Sequence, residues 1–456
     1  MRKKWYWYLD PYVLTEELDL TGHGYIPNFL IVAGFLLILY IFIPFAFTLT
    51  IDTLFLTSPV WLFVGGTFLF RKLWLNYVQT KTFLDTPRTV MEVRIPREVA
   101  KSPAAMEAVS NVFFHTGVPE TLYDEYVRGN MRPQFSLEVA SFGGQVRFYI
   151  QAPTKNKEIV KAQIYSQYPG VEIYEVDDYI CRFHFDPEEM ELLGIEMTLR
   201  EPDPYPIKTY VDFGLDKDPK VEYQVDPIAG VLEFLGSVGP GEFIFLQIVV
   251  RSHQPDKRPK GWWYNPKLWI KKDGIKKLDW KAAAKEETDK IIKKLETEVK
   301  GNSGSFKFQR APTEAEKMLI ESIGRNTAKK PFDTGIRVMY MADKKHFKTE
   351  RNAGLPTMFR QFESHSLNGF KPRFPTGFVY KSHDPLGRRR VLRKERFFSA
   401  FRTRSFFTAP YHTPYFVLSS EELATLYHFP SRATAAPGLD RVAATKAEAP
   451  ANLPVQ

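Results

Sequence analysis

Cysteine is nearly missing from this sequence of 456 residues: Cys181 stands alone, which excludes a disulfide within the chain and fits a reducing compartment. No glycine is followed by lysine, so the G-x-x-x-x-G-K-[ST] loop that cradles nucleotide phosphates is missing, and hydrolysis of nucleotide by this chain alone is not expected. The nine histidines are scattered, without an H-E-x-x-H pair or a His/Cys set, so neither a metal site nor a cofactor is expected. With no nucleophile, base or metal pattern left to assign, an enzyme is the least supported reading. Charge is absent from Gly24 to Ile51.

What is present is aromatic and basic. Phe, Trp and Tyr make up 15% of the chain, with 37 phenylalanines, which calls for well-filled sheet cores, a membrane interface, or both. The formal net charge of +9 points to acidic partners such as lipid headgroups or nucleic acid. The length allows roughly two or three domains.

The uncharged run centred on "NFLIVAGFLLILYIFIPFAFTL" is long enough to cross a hydrocarbon layer of roughly 30 Å. Asp52 ends it, and a second run, "TLFLTSPVWLFVGGTFLF", closes on Arg71 and Lys72. The pair predicts a transmembrane helical hairpin within residues 25–77, with spans at about 28–50 and 54–72, after an interfacial segment over residues 1–24 that contains "WYWYLDPY". Basic residues flank both ends (Arg2, Lys3, Lys4; Arg71, Lys72, Lys81, Arg88). The positive-inside bias therefore predicts a multi-pass protein of the inner membrane with both termini cytoplasmic.

Beyond the membrane segment the fold class reads as α+β. Over 88–180, strands "VMEVRIP", "QFSLEVAS", "QVRFYIQ" and "VEIYEV" alternate with helices "SPAAMEAVSNVFFH" and "NKEIVKAQIYSQY" in the order β-α-β-β-α-β, the split βαβ of a ferredoxin-like module. In the second helix Ile159, Ala162, Gln163 and Ser166 are expected along one side. "DPEEMELL" has the form of a helix start, with Asp186 as cap. A second ferredoxin-like module is expected over 203–343, from "IKTYVDF" as a strand to "TGIRVMYMA". An inserted helix at about 280–299 carries the stripe Ala284, Ile291, Ile292, Leu295 and Val299, which fits packing on a partner, on a neighbouring copy or on its own domain. "GSVGPGEF" is expected to be a tight turn. Residues 344–426 read as an irregular basic region that wraps an existing domain, and residues 427–456 as a linker-like tail.

One constellation carries a candidate site: "GRRRVLRKERFFSAFRTRSFF". Arg388, Arg389, Arg390, Arg393, Lys394, Arg396, Arg402 and Arg404 stand with a single acid, Glu395, and five phenylalanines. Guanidinium forks suit phosphate and aromatic rings suit unpaired bases, so the run fits single-stranded nucleic acid, or anionic lipid in a tethered protein. The competing reading is a strand or hairpin with a buried Phe face and a solvated Arg face.

Taken together, the membrane segment, "MEVRIPREVAKSPAAMEAV", "QFSLEVASFGGQVRFYIQAPTKNKEIVKAQIYSQYPGVEI" and "LYHFPSRATAAPGLDRVAATKAEAPANLPV" resemble a family of membrane proteins from candidate-phyla bacteria. That family looks like the N-terminal part of type IV secretion and conjugation ATPases of the TraG/TraD coupling or HerA-like kind. The resemblance implies a non-catalytic membrane component of a DNA- or protein-translocating machine. It also implies a RecA-like ATPase, separate or fused, as partner, the tail being a junction with that motor. DNA and further copies of the chain are the other partners it brings in. A membrane-tethered protein that binds single-stranded nucleic acid is the alternative.

Overall fold

A computed structural model describes residues 37–38, 40–42, 44–96, 101–114, 122–216, 226–254, 280–301, 304–364, 366–377, 387–408, 410–430 and 441–442. The chain divides into two units, Met1–Trp74 and Leu75–Gln456.

The first unit contributes most of helix α1 (Pro44–Asp85), the one helix among the described residues that is long and apolar enough to cross a membrane. Its 42 residues span ~63 Å at the α-helical rise. Large apolar side chains are exposed along it, Phe55 and Leu56 by 80% and 82%, as suits a helix solvated by lipid. Threonines 50, 53 and 67 donate their hydroxyls to the carbonyls four residues back, so none needs water. The expected two-span hairpin is corrected here: the helix runs unbroken through Ile51, Asp52 and Thr53. A single Asp does not stop a helix, and neither glycine nor proline stands at that junction to turn the chain. Residues 1–24 and 28–36 lie outside the described residues.

In the second unit the elements run β1 (Arg88–Pro96), α2 (Ala104–Ser110), β2 (Phe135–Phe142), β3 (Gln145–Pro153), α3 (Lys157–Gln167), β4 (Glu172–Val176), β5 (Met190–Leu199), α4 (Pro227–Gly236) and β6 (Glu242–Ser252). Next come α5 (Trp280–Leu295), β7 (Glu296–Gly301), β8 (Gly304–Gln309), α6 (Glu314–Ala328), β9 (Pro331–Asp343), α7 (Arg351–Thr357) and β10 (Phe370–Arg373). The chain closes with α8 (Arg388–Thr403), β11 (Phe416–Ser419), α9 (Ser420–Leu426) and β12 (Arg441–Val442). Among the described residues, one large sheet holds all the strands except the β7–β8 hairpin.

Its order is β10-β5-β9-β6-β2-β3-β1, with β4 on the outer side of β1 and every one of these pairs antiparallel. The two halves repeat one another. In each, the second strand is separated from the first by the third, and the fourth lies beside the first: β4-β1-β3-β2, then β10-β5-β9-β6. The halves meet through their second strands, from Phe135↔Val250 to Phe142↔Phe243. The α5–α6 segment with its hairpin is inserted between the second and third strands of the later half.

Helices α2, α3, α4, α7 and α9 cover one face through Val109, Ile164, Leu232, Leu355 and Leu423. Segment 388–415 covers the other, where Phe397, Phe398 and Phe401 meet Leu192, Phe245 and Met339, and Phe406 and Phe407 meet Val249. A Cβ on Gly194 or Gly335 would strike the rings of Phe397 or Phe406, so the close approach of this layer requires glycine at both positions.

Several sequence expectations change. "DPEEMELL" opens β5: Asp186 caps only a turn, accepting from Glu188 N at 2.9 Å, and the chain is extended from Met190. "IKTYVDF" is not a strand, because the Ile207 and Tyr210 N–H groups go to the Glu422 carboxylate and the Thr425 hydroxyl of α9, both at 2.9 Å. Helix α3 buries Val160 and Ile164 and leaves Ile159 53% exposed, one position round from the expected stripe. The inserted helix ends at Leu295, and Val299 belongs to β7. Residues 344–426, expected as irregular, include α7, β10, α8, β11 and α9 among the described residues. The tail starts later than expected: Tyr427, His428 and Phe429 are buried, and Arg441–Val442 pairs in parallel with Ile95–Pro96.

The "GSVGPGEF" stretch is the tight turn it promised, with Gly241 at φ 80°. Buried Glu242 holds it: its carboxylate accepts from Gly239 N at 2.8 Å, Tyr340 Oη at 2.8 Å and Arg351 Nε and Nη2 at 2.9 and 3.0 Å. Burial works against its charge, but these donors outweigh that and bring its pKa from 4.5 down to about 2. A depressed carboxyl stabilises the fold above its unfolded pKa and loses that contribution as pH falls through its folded one. Acid unfolding should therefore show stability declining between about pH 4.5 and 2, and Glu242→Gln should flatten the decline in that window while lowering stability at neutral pH.

Candidate functional site

The basic run 388–404 is a helix followed by a left-handed turn, neither strand nor hairpin. Helical periodicity then sorts the eight basic residues into three environments. Arg388, Arg389 and Arg390 in the first turn are exposed, with Arg390 3.6 Å from Glu191. Arg393, Arg396 and Arg402 are half-buried, and the Arg396 guanidinium lies over the Tyr411 ring at 5.5 Å. Lys394 and Arg404 are buried. Lys394 is bonded to Glu191, and burial lowers its pKa in spite of that partner.

Arg404 is the only described non-glycine residue at positive φ (55°) and is 1% exposed. Its Nε and Nη2 donate to Glu138 Oε1 and Oε2 at 2.9 and 3.0 Å, and it also grips Asp178. Glu138, fully buried in β2, accepts further from Ser136 Oγ (2.6 Å), Tyr179 Oη (2.8 Å) and Gln247 Nε2 (3.1 Å). Burial penalises both charges. The Arg404–Glu138 attraction outweighs it, holding the carboxyl below and the guanidinium well above their ordinary pKa values.

This pair belongs to a larger array. The register places Tyr174, Glu92, Tyr149, Glu138, Gln247, Arg337, Glu196 and Arg373 opposite one another across β4, β1, β3, β2, β6, β9, β5 and β10. The row is exposed at its two ends and buried between them. Arg337, with no exposed side chain, meets Glu196 at 3.4 Å and donates to Ala400 O at 3.2 Å and to Ser405 O. Gln247 donates to Phe401 O at 3.1 Å, so the row also takes up carbonyls at the C-terminal end of α8. Glu196 is completed by Tyr411 Oη at 2.8 Å and Thr413 Oγ1 at 2.9 Å.

A second buried polar cluster lies near one end of the same face. Asp333 accepts from Arg251 Nε (2.9 Å), Arg132 (3.2 Å) and His253 Nδ1 (2.7 Å), and Arg251 stacks on Phe407 and Tyr415. Among the described residues no group of three potential ligands could hold a metal ion.

Glu138, Glu196, Gln247 and Arg337 were absent from the sequence-level candidates. A signal existed: each is the one charged or amide side chain in a strand stretch of otherwise apolar or small residues, as in "FSLEVASF", "GIEMTL", "FLQIVV" and "GIRVMYM". Chemically the row neutralises and orients. It ties two sheet halves and α8 together, and of the run's eight basic residues it leaves those of the first turn exposed.

Arginines equal in sequence should thus differ in energy. Arg404→Met is expected to lower unfolding stability by about 3–5 kcal/mol, because Glu138 is left charged and buried. Arg388→Met should change it by less than about 0.5 kcal/mol. Urea unfolding of the two variants, followed by tryptophan fluorescence, makes the comparison.

Residues 78–441 match the family described as Domain of unknown function (DUF8128). No curated protein matches the chain.

Proposed function

The chain belongs to the DUF8128 family, and from that premise we propose that it is a membrane-anchored, non-catalytic docking component of a type IV secretion or conjugation-like translocation apparatus. In this reading each half of the sheet is a ferredoxin-like module, and the pair forms a platform for a RecA-like ATPase. The body lies on the cytoplasmic side, because Arg71, Lys72, Lys81 and Arg88 follow the apolar run.

The observation that carries the proposal is how α1 ends. From Leu75 onward it is part of the body: Thr82 Oγ1 donates to Arg128 O at 2.8 Å, Gly129 packs with no room for a side chain against Val78 and Thr82, and Arg88 lies 3.8 Å over the Phe83 ring. An apolar helix whose last turns are packed into the folded body suits a membrane anchor for a docking part. The absence of a phosphate-cradling loop supports a partner that supplies the motor. The resemblance to the N-terminal part of coupling ATPases supports the identity of that partner.

The test is affinity purification of the full chain from detergent-solubilised membranes, followed by mass spectrometry. A RecA-like ATPase or secretion subunit should be enriched over a mock purification. Recovery of the chain from the soluble fraction, or from membranes with no such protein, would sink the proposal.

A second reading, binding of single-stranded nucleic acid, rests on the three exposed arginines that open α8. It predicts that changing Arg388, Arg389 and Arg390 to Ala lowers both affinity for single-stranded DNA and its salt dependence. Unchanged binding would remove it.

A further inference from the structure

The insertion between β6 and β9 presents an open groove of about 400 Å³ between α5 and α6, lined by Ala284, Thr288, Ile320, Ile323, Gly324 and Thr327. The lining joins the N-terminal half of α5 to the C-terminal half of α6, so the two helices run antiparallel. Beneath the groove Ala284, Ile291 and Ile323 form a small core of their own. Lys281 and Lys285 stand at its side, both exposed.

Charge in this insertion is partly paired: Lys290 with Glu286 and Glu287, Lys317 with Glu314, Arg310 with Glu316, Arg325 with Asp212 and Glu421. Lys281, Lys285, Asp289 and Lys293 on α5 and Glu321 on the exposed side of α6 have no oppositely charged partner among the described residues, and of these Lys281 and Lys285 line the groove. One turn before Glu321, Met318 is 65% exposed.

These features complement one another when the surface is turned on itself. We propose that this groove is a self-association surface, and that its occupant is α6 of a second copy of the chain, crossing antiparallel about a two-fold axis near Gly324. An antiparallel crossing centred there sets Glu321 of one copy beside Thr327 of the other, and Thr327 shares the groove wall with Lys281 and Lys285. The unpaired carboxylate of each copy meets the unpaired ammonium groups of the other, twice by symmetry. Met318, about 120° round the helix from Gly324, lies beside this contact and outside it. Gly324 lets the backbones approach, since no atom lies within 4 Å of where its Cβ would be. The surface lies on an insertion outside the duplicated sheet, so self-association leaves the rest of the body uncovered, and the inference stands apart from the reading of the protein as an ATPase dock.

The test uses the full chain in detergent micelles, with mass measured by light scattering across a dilution series. The wild type should dimerise. Glu321→Lys alone, and Lys281→Glu with Lys285→Glu, should each raise the dimer dissociation constant by about tenfold or more, since like charges then face each other. The triple variant that carries all three reversals should recover the wild-type constant. A monomeric wild type overturns the proposal. So does a dimer that neither reversal weakens, which would assign association to another surface, or a triple variant that fails to recover. As a second measurement, Gly324→Cys in a Cys181→Ser background should form an intermolecular disulfide on mild oxidation. Failure to cross-link counts against the two-fold crossing.

Discussion

Glu138 is an ionised carboxylate with no solvent contact, and the architecture around it follows from the need to satisfy it. Two backbone-distant elements supply what it needs: Arg404 from the segment after α8, and Gln247 from the facing strand of the other sheet half. A buried charge left alone is worth several kcal/mol against folding, while a pair with every lone pair and proton engaged comes near to balance. The consequence is specificity. Only the register that puts residue 138 opposite 247, and only a chain path that brings residue 404 back over β2, leaves the carboxylate satisfied. That same path forces Arg404 into a left-handed conformation, a strain that two acidic partners hold in place.

The duplicated sheet explains why the polar row can be so long. Each half alone would end at its second strand, with an edge of unpaired N–H and C=O groups. Joining the halves through β2 and β6 removes both edges at once and places Glu138 and Gln247 at the seam, with Arg337 beside them on β9. The helices on the opposite face are a conventional apolar core. The polar face instead takes the C-terminal segment as its cover, and the row receives carbonyls from the end of α8 as acceptors for Arg337 and Gln247. Sheet and cover are therefore coupled by hydrogen bonds whose loss would leave donors buried, a stronger constraint than the contact of rings alone.

Much of this was legible in the sequence wherever the pattern was local. The strands with clear alternation over 88–180 and the tight turn of "GSVGPGEF" follow from short-range chemistry. Readings failed where tertiary partners took over the backbone. Residues 207–213 have strand propensity, but α9 supplies side-chain acceptors that replace a ladder. Met190–Leu199 was hidden because Asp186, Pro187 and the acids after them imitate a helix start. The membrane hairpin differs for another reason: Asp52 separates the two apolar runs in the sequence, whereas a helix accommodates one polar residue without a turn.

The basic run shows how far composition can be trusted. Eight positive side chains within seventeen positions look like one surface when read in a line. Wound at 3.6 residues per turn and laid on a sheet, the same residues divide, because Phe397, Phe398 and Phe401 must face inward and carry their neighbours with them. Lys394 falls on the buried side and is drawn to Glu191. Arg404, just past the last turn, falls over the most acidic point of the sheet. The cationic surface that survives is one helical turn, set by phenylalanine positions more than by the number of arginines. Within the run, binding of a polyanion would centre on that turn, while Lys394 and Arg404 serve the fold.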